Sequence, residues 1–253
     1  MISVIIPTLN AASSLPRTLA SLLDANQQGV IREVIISDGG SVDQTKEVAH
    51  HAGATLIEGP KGRGSQLAQG AAAAKGEWLL FLHADTQLEK GWQDEAMAFC
   101  QASCRRRVAV FRLKFDEKGW RPFLVAMGAN LRARFLRLPY GDQGLLISRA
   151  HYDHSGGFAN MPLMEDVDMI RRLVRKGGRG AMHILPAAAI TSAARYREDG
   201  FFKRVLRNSY CLSLYFRKAS PDYIWKIYHG TDEKALSRYH GKVAQKRPGE
   251  NTS

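Results

Sequence analysis

The chain has 253 residues, 45% hydrophobic and 24% charged, an ordinary globular composition with length enough for one large α/β domain or one and a half. No run approaches about 18 uninterrupted apolar residues, which excludes a membrane-spanning helix. The net charge of +12 is lopsided: residues 1–100 hold 7 Lys/Arg against 11 Asp/Glu, residues 101–253 hold 29 against 13. A basic second half either suits an anionic partner (a phosphorylated substrate, a membrane surface, nucleic acid) or is a solvated surface. MISVIIPT enters a strand at once, without a basic n-region or a cleavage-like site, so no signal peptide is expected. Cys100, Cys104 and Cys211 form no framework and no zinc pattern, which fits a reducing, cytoplasmic compartment.

In chain order, SVIIPT reads as a strand. Leu15, Leu19, Leu22 and Leu23 then predict a helix with Ser14 as cap and Pro16 in its first turn. EVIISD is a second strand, followed by a helix with capping-box spacing from Ser41 to Gln44 and a stop at Gly53. ATLIE, a GRG turn, an Ala-rich helix and the strand EWLLFLHAD complete a βαβ series that implies a parallel sheet. The pattern then changes. Val108 to Phe115 alternates like a half-exposed strand with Arg112 and Lys114 on its wet face. Residues 122–137 read as a helix with Arg132, Arg134 and Arg137 towards water, GLLIS and AMHIL as short strands, and 200–217 and 221–228 as aromatic, basic helices.

Acidic landmarks recur where such folds bind ligands, at strand ends and at one later helix. In HAD, His83 and Asp85 share a face with Ala84 opposite. Asp85 offers a hard oxygen to Mg²⁺ or Mn²⁺, with Gln87 two residues on, or it only caps a turn. PTLN and SDGGS are small-residue loops that let a nucleoside approach the backbone, or ordinary βα turns. KGRGSQ sets Arg63 at a helix N-terminus, a weak anion site. MEDVDMIRRLVRKGG has acids first and bases last, which the helix dipole alone would favour.

Taken in order, IIPTLN, SDGGSVDQT, GRGSQLAQGAAAAKGEWLLFLHADT and MEDVDMIRR resemble family 2 of the inverting glycosyltransferases, over about residues 1–195. LPYGDQGLLISR and TSAARY look more narrowly like a bacterial radical-SAM/selenodomain-associated subgroup. The resemblance implies a GT-A fold, an α/β architecture with a Rossmann-like, mostly parallel central sheet flanked by helices, to which the stretch after it adds a basic helical C-terminal extension. It divides the chain into one transferase domain over 1–230, with a nucleotide-sugar half (1–104) and an acceptor half (105–230), and a polar basic tail (231–253).

The resemblance also assigns residues. Pro7, Thr8, Asn10, Asp38, Gly39, Arg63, Gln66, His83, Ala84 and Arg195 would hold the nucleotide-sugar, and Asp85 with Gln87 the Mn²⁺ or Mg²⁺. Asp166 would be the catalytic base, and Gly141, Asp142, Gln143, Gly144 and Glu165 would meet the acceptor. His83 stands in place of the first Asp of D-x-D, and Gly39 in place of the second of two consecutive Asp residues. Asn10-Ala11-Ala12 lacks the acid that often follows Asn. The expected reaction is metal-dependent sugar transfer with inversion; a silent scaffold that binds nucleotide or partners is the alternative. PTLN stands where a dinucleotide enzyme needs G-x-G-x-x-G, and no nucleic-acid motif accompanies the basic residues, so nucleic acid is not an expected partner. The basic, aromatic stretch 200–228 either closes the core or touches an anionic membrane at its cytoplasmic face.

Overall fold

ISVIIPT forms β1 (Ile2–Thr8) at the heart of the molecule. A computed structural model of the chain describes residues 1–102 and 107–229. After β1 come α1 (Leu15–Ala20), α2 (Leu23–Gln27), β2 (Ile31–Asp38), α3 (Thr45–His51), β3 (Thr55–Glu58), α4 (Arg63–Ala73), β4 (Trp78–Phe81), β5 (Thr86–Leu88) and α5 (Trp92–Ala102). The second half holds β6 (Val108–Phe115), α6 (Trp120–Leu131), β7 (Leu145–Ser148), α7 (Arg149–Ser155), α8 (Glu165–Gly177), β8 (Met182–Thr191), α9 (Ala194–Asp199), α10 (Phe201–Phe216) and α11 (Pro221–His229). Cys104, the expected 104/105 boundary and the tail 231–253 lie outside the described residues.

The eight strands form one sheet in the order β3-β2-β1-β4-β7-β6-β8-β5. The first four are parallel. β7 runs antiparallel to both β4 and β6, β8 returns parallel to β6, and β5 closes the far edge antiparallel to β8. Helices cover both faces, so the strands bury residues on both sides. Ile2, Val4 and Ile6 of β1 enter one core with Ile36, Leu80 and Leu82; Ile5 enters the other with Ile35, Leu79 and Phe81. Each such side chain contributes about 1.5–3 kcal/mol relative to exposure. A third, smaller core joins Met164 and Val167 to Cys211, Leu214, Ile224 and Trp225, and so seats α10 and α11 beside the start of α8.

Four local expectations are corrected. The Leu15–Leu23 helix breaks in two, Leu23 is exposed, and the Ser14 hydroxyl bonds back to the Ala11 carbonyl instead of capping. The Ser41–Gln44 capping box does not form, because Asp38 takes the Ser41 hydroxyl and Asp43 receives the Thr45 N–H. Arg132 and Arg137 are not on a wet face. Arg132 lies 3.5 Å over the Tyr140 ring and donates to the Leu138 carbonyl, and Arg137 donates to that of Met182. β8 runs ten residues, well past AMHIL, because its C-terminal half lies between β6 and β5.

Candidate active site

The sheet reverses its direction of growth between β1 and β4, and a ligand crevice opens beyond the C-terminal ends of strands at such a point. Two adjoining cavities lie there. One, of about 310 Å³, runs from Pro7–Ala11 past Gly62, Arg63 and Gln66 to His83–Asp85. The second, of about 100 Å³, is bounded by Tyr140, Asp142, Asp166 and Tyr196. Arg63, His83, Asp85, Leu163 and Arg195 line both and form the seam between them.

The wall of the larger cavity is laced across β1 and β2. Asn10 adopts φ 52°, a left-handed conformation that Asn tolerates. Its side-chain oxygen accepts the Val42 N–H at 2.9 Å, and its own N–H donates to Ser41 Oγ at 2.8 Å. Gln66 donates to the carbonyls of Thr8 and Ser37, both at 2.7 Å, pinning the two strand ends together. Pro7, Thr8, Asn10, Arg63, Gln66, His83, Ala84 and Arg195 all line this one cavity.

Asp38 does not. It is fully buried, and its oxygens accept from Thr8 Oγ1 (2.9 Å), Gly40 N (2.9 Å), Ser41 N (2.7 Å) and the Ser41 hydroxyl. A carboxylate has about four acceptor sites, and all are taken. Burial alone would raise this carboxyl; the hydrogen bonds from Ser41, Thr8 and Gly40 outweigh it and hold the group below its ordinary value. Asp38 therefore shapes the loop and offers nothing to a ligand. Gly39 lies beneath Gln66, whose amide would sit about 3.1 Å from any Cβ there. An Asp there would need the Gln66 amide to shift by a few tenths of an ångström.

His83, Ala84 and Asp85 form a tight turn between β4 and β5, closed by Thr86 N–H to the His83 carbonyl at 3.2 Å. The turn brings His83 and Asp85 to one cavity, although the backbone there is no strand. Burial, then Arg63 and Arg195, push the imidazole well below its ordinary value, so His83 is neutral. Glu165 is buried with its carboxylate 3.2 Å from Arg63, which keeps the guanidinium charged. The expected acceptor contact of Glu165 is thus replaced by an ion pair that positions Arg63. Arg195 has no carboxylate partner among the described residues. One balanced and one unbalanced guanidinium beside a neutral imidazole make a wall suited to a diphosphate.

Asp166 opens α8. Its Oδ2 accepts the Gly141 N–H at 2.6 Å and its Oδ1 the Val167 N–H at 2.7 Å. A Cβ on Gly141 would stand 2.6 Å from His83 Nε2 and 3.3 Å from Asp166 Oδ2, so this glycine lets the GDQG turn close onto both. Asp142 lines the smaller cavity, and its Oδ1 is buried without a hydrogen-bond partner. Burial pushes its carboxyl up to about 6, with Arg132 opposing and Asp166 and Asp85 adding to the rise. Gln143 is corrected. Its side chain is fully buried and donates to the Phe111 carbonyl at 3.0 Å, away from any acceptor. Gly144, at φ 64°, packs on Phe111 and Phe81 and is likewise structural.

Among the described residues no cluster of three His, Cys, Asp or Glu side chains would hold a metal ion unaided. The set present fits a cation that a substrate completes, because Mg²⁺ is commonly bound through one or two carboxylates plus phosphates and waters. Asp85 would be that carboxylate, with the His83 imidazole beside it. Gln87 does not join them: it lies in β5 opposite Ile190 and lines neither cavity. Sequence reasoning missed Tyr140, Tyr196, Arg204, Asn208, Tyr228, Trp225 and His229, which close the cavities from the C-terminal side. The available signals were LPYGDQG and TSAARY, which contain Tyr140 and Tyr196, and the aromatic and basic content of α10 and α11.

This curled, mixed α/β sheet with flanking helices and a cavity at the β1/β4 switch is the GT-A architecture of glycosyltransferases. The chain belongs to Glycosyl transferase family 2, whose profile matches residues 3–159. Glucosyl-3-phosphoglycerate synthase from Mycobacterium tuberculosis, solved with Mn²⁺, uridine diphosphate and glucosyl-3-phosphoglycerate, shares the fold. It is 18% identical at a TM-score of 0.56, over 74% of this chain and 70% of that one. Its complex with Mn²⁺, UDP-glucose and phosphoglyceric acid gives a TM-score of 0.57 over 82% and 77%, again at 18% identity. A PGL/p-HBAD biosynthesis glycosyltransferase of Mycobacterium bovis is 40% identical over 95 residues, 35% of this chain and 36% of that protein. The chain thus spans about a third of the length of this curated relative.

Proposed function

We propose that the protein transfers a sugar from a nucleoside-diphosphate donor to an acceptor hydroxyl or phosphate, with a divalent cation and with inversion. The observation that carries this reading is the seam itself, where Arg63, His83, Asp85 and Arg195 join a nucleoside-sized cavity to one that holds Asp166. The domain plan follows: a single transferase domain over 1–230, donor half before acceptor half. The subgroup associated with radical-SAM/selenodomain proteins is supported by the place of its motifs, since GDQG closes onto Asp166 and TSAARY brings Ser192, Arg195 and Tyr196 to the cavity.

Pro7, Thr8 and Asn10 receive the nucleoside, and Arg63 and Arg195 the diphosphate. Asp85, with His83 beside it, would hold Mn²⁺ or Mg²⁺, which when bound screens the charge that builds on the leaving diphosphate. Asp166, held by the Gly141 and Val167 N–H groups, takes the acceptor proton at its carboxylate as the new bond forms. A single displacement by the activated acceptor inverts the anomeric carbon. Asp142, left with a free buried oxygen, orients an acceptor hydroxyl.

The structural neighbours were solved with uridine diphosphate, which makes a UDP-sugar the first donor to try. A melting-temperature screen of UDP-, GDP-, CDP- and dTDP-sugars should find one that stabilises the protein more with Mn²⁺ than without, as native-state ligands do by mass action. Absence of any nucleotide-dependent shift would favour the scaffold reading instead.

A further inference from the structure

The helix α6 is amphipathic the wrong way round. It buries Pro122, Ala126 and Ala129, and it exposes Trp120, Phe123, Leu124, Met127 and Leu131, a stripe at helical spacing. Phe135 and Leu136 in the π-helical turn after α6 continue the stripe, at 60% and 64% exposure. Across a groove, α10 adds Phe202, Leu206 and Tyr210, and Trp120 meets Phe202 with ring centroids 6.1 Å apart. Large apolar side chains gathered on one face mark an interaction surface.

Charge says what covers it. Residues 118–140 carry five Lys/Arg and no Asp/Glu, and residues 201–220 likewise five and none. Arg132 and Arg137 turn inward, and Arg204 and Arg207 pair with Asp199, but Arg121 and Arg134 stay with exposed rings, as does Arg171 of α8. Arg121 lies 5.3 Å over Trp120, Arg134 6.0 Å over Phe135 and Arg171 4.7 Å over Phe216. Apolar side chains ringed by guanidinium groups match the boundary between anionic headgroups and acyl chains.

The groove between α6 and α10, about 320 Å³, also opens into the active site. Tyr140, Asp142, Tyr196 and Asn208 line both the groove and the cavity that holds Asp166. At that junction Asp142 Oδ1 and Asn208 Oδ1 are buried acceptors without a hydrogen-bond partner. They ask for donors, such as hydroxyls, while Leu113, Leu124, Val125 and Val205 farther along ask for hydrocarbon.

We propose that the α6/α10 face docks on an anionic bilayer, and that the groove admits an amphiphilic acceptor whose hydroxylated head meets Asp142 and Asn208 and whose chain trails towards the lipid. The acceptor half of this statement rests on the transferase reading; the docking half does not. The lipid-facing set differs from the one the sequence suggests. Phe201 and Trp225 are buried and Tyr228 lines the cavity, while α6, which the sequence leaves unmarked, supplies most of the surface.

Flotation with vesicles of phosphatidylcholine alone, or mixed with phosphatidylglycerol, tests the proposal. Wild-type protein should float with the mixed vesicles at low salt, with Trp120 shielded from acrylamide quenching, and should bind neutral vesicles weakly. The Phe123→Ser/Met127→Ser/Leu131→Ser variant should lose binding by about tenfold or more, since each buried side chain is worth about that factor. Arg121→Glu/Arg134→Glu should lose only the preference for the anionic vesicles. Nucleotide-induced stabilisation should be unchanged in both variants, which separates docking from folding and from the donor reading. Absence of wild-type binding at low salt, or equal binding by the triple variant, would overturn the proposal. So would a wild-type dimer in sedimentation that the triple variant abolishes, because the face would then belong to a second copy. Vesicle binding without any nucleotide effect would sink the transferase reading and leave the docking face standing.

Discussion

In the first 81 residues every strand pairing is parallel: β1 with β2, β2 with β3, β1 with β4. After residue 82 the strand directions mix. β7 crosses back to β4, β6 joins β8 in parallel, and β5 pairs with a strand about a hundred residues later. The polar groups differ in the same way. The donor-side loop saturates Asp38 with local hydrogen bonds, whereas the acceptor side leaves an oxygen of Asp142 and one of Asn208 buried without a hydrogen bond. A closed network fixes a shape in advance of a ligand; an open one keeps groups available to meet it.

The sharpest attack on this contrast is Asp166→Asn. It keeps the shape of the acceptor-side group and removes its basicity, so turnover should fall by about 10²–10⁴ while nucleotide binding persists. A small loss would place the base elsewhere, with Asp142 the next candidate in the same cavity.

Asp85→Ala should abolish the Mn²⁺ enhancement of nucleotide affinity in a titration and leave the metal-free affinity close to wild type. Undiminished enhancement would move the cation away from the seam.

Asp38→Asn tests the opposite side. Its amide NH₂ would face backbone N–H donors of Gly40 and Ser41, so the fold should lose about 1–3 kcal/mol in denaturant melts. If stability is untouched and only nucleotide affinity falls, Asp38 contacts ligand after all.

Asp142→Asn should act with the reverse sign. The Asp142 carboxyl sits at about 6 in the fold against an ordinary 3.8, so the folded protein holds that proton more tightly than the unfolded chain. Its carboxylate therefore weakens the fold above pH 6, and the cost vanishes as pH drops through 4. The variant should melt a few degrees higher than wild type at pH 8 and about equally at pH 4, at roughly 2–4 °C per kcal/mol. A lower melting point at pH 8 would mean that Asp142 is satisfied after all.

The contrast also explains what was legible in the sequence. The parallel half announces itself through local signals, apolar runs followed by capped or glycine-stopped helices, and Asp85 and Asp166 stand out as acids at the ends of such elements. Where two local rules compete, reading fails: Ser41 has capping spacing, yet Asp38 three residues earlier is the stronger acceptor. The family resemblance sets Gln143 beside the acceptor, and only its hydrogen bond to the Phe111 carbonyl reveals that it points into the core. Tyr196, Asn208 and Tyr228 reach the cavity from three separate helices, and no spacing rule links them.

The turn that carries Asp85 hangs between a strand at the centre of the sheet and one at its far edge. Thr86 meets Thr191 through their hydroxyls at 3.2 Å, across 105 residues of chain. On a ribosome, β1 to β4 can assemble as soon as they emerge, but β5 has no partner until β8 is made. The nascent protein thus acquires the β1 loop of its nucleoside cavity early and its cation-bearing turn late, after the slow closure that high contact order imposes. Half-made chains hold the loop that faces the base, and Arg63, before Asp85 is fixed beside them.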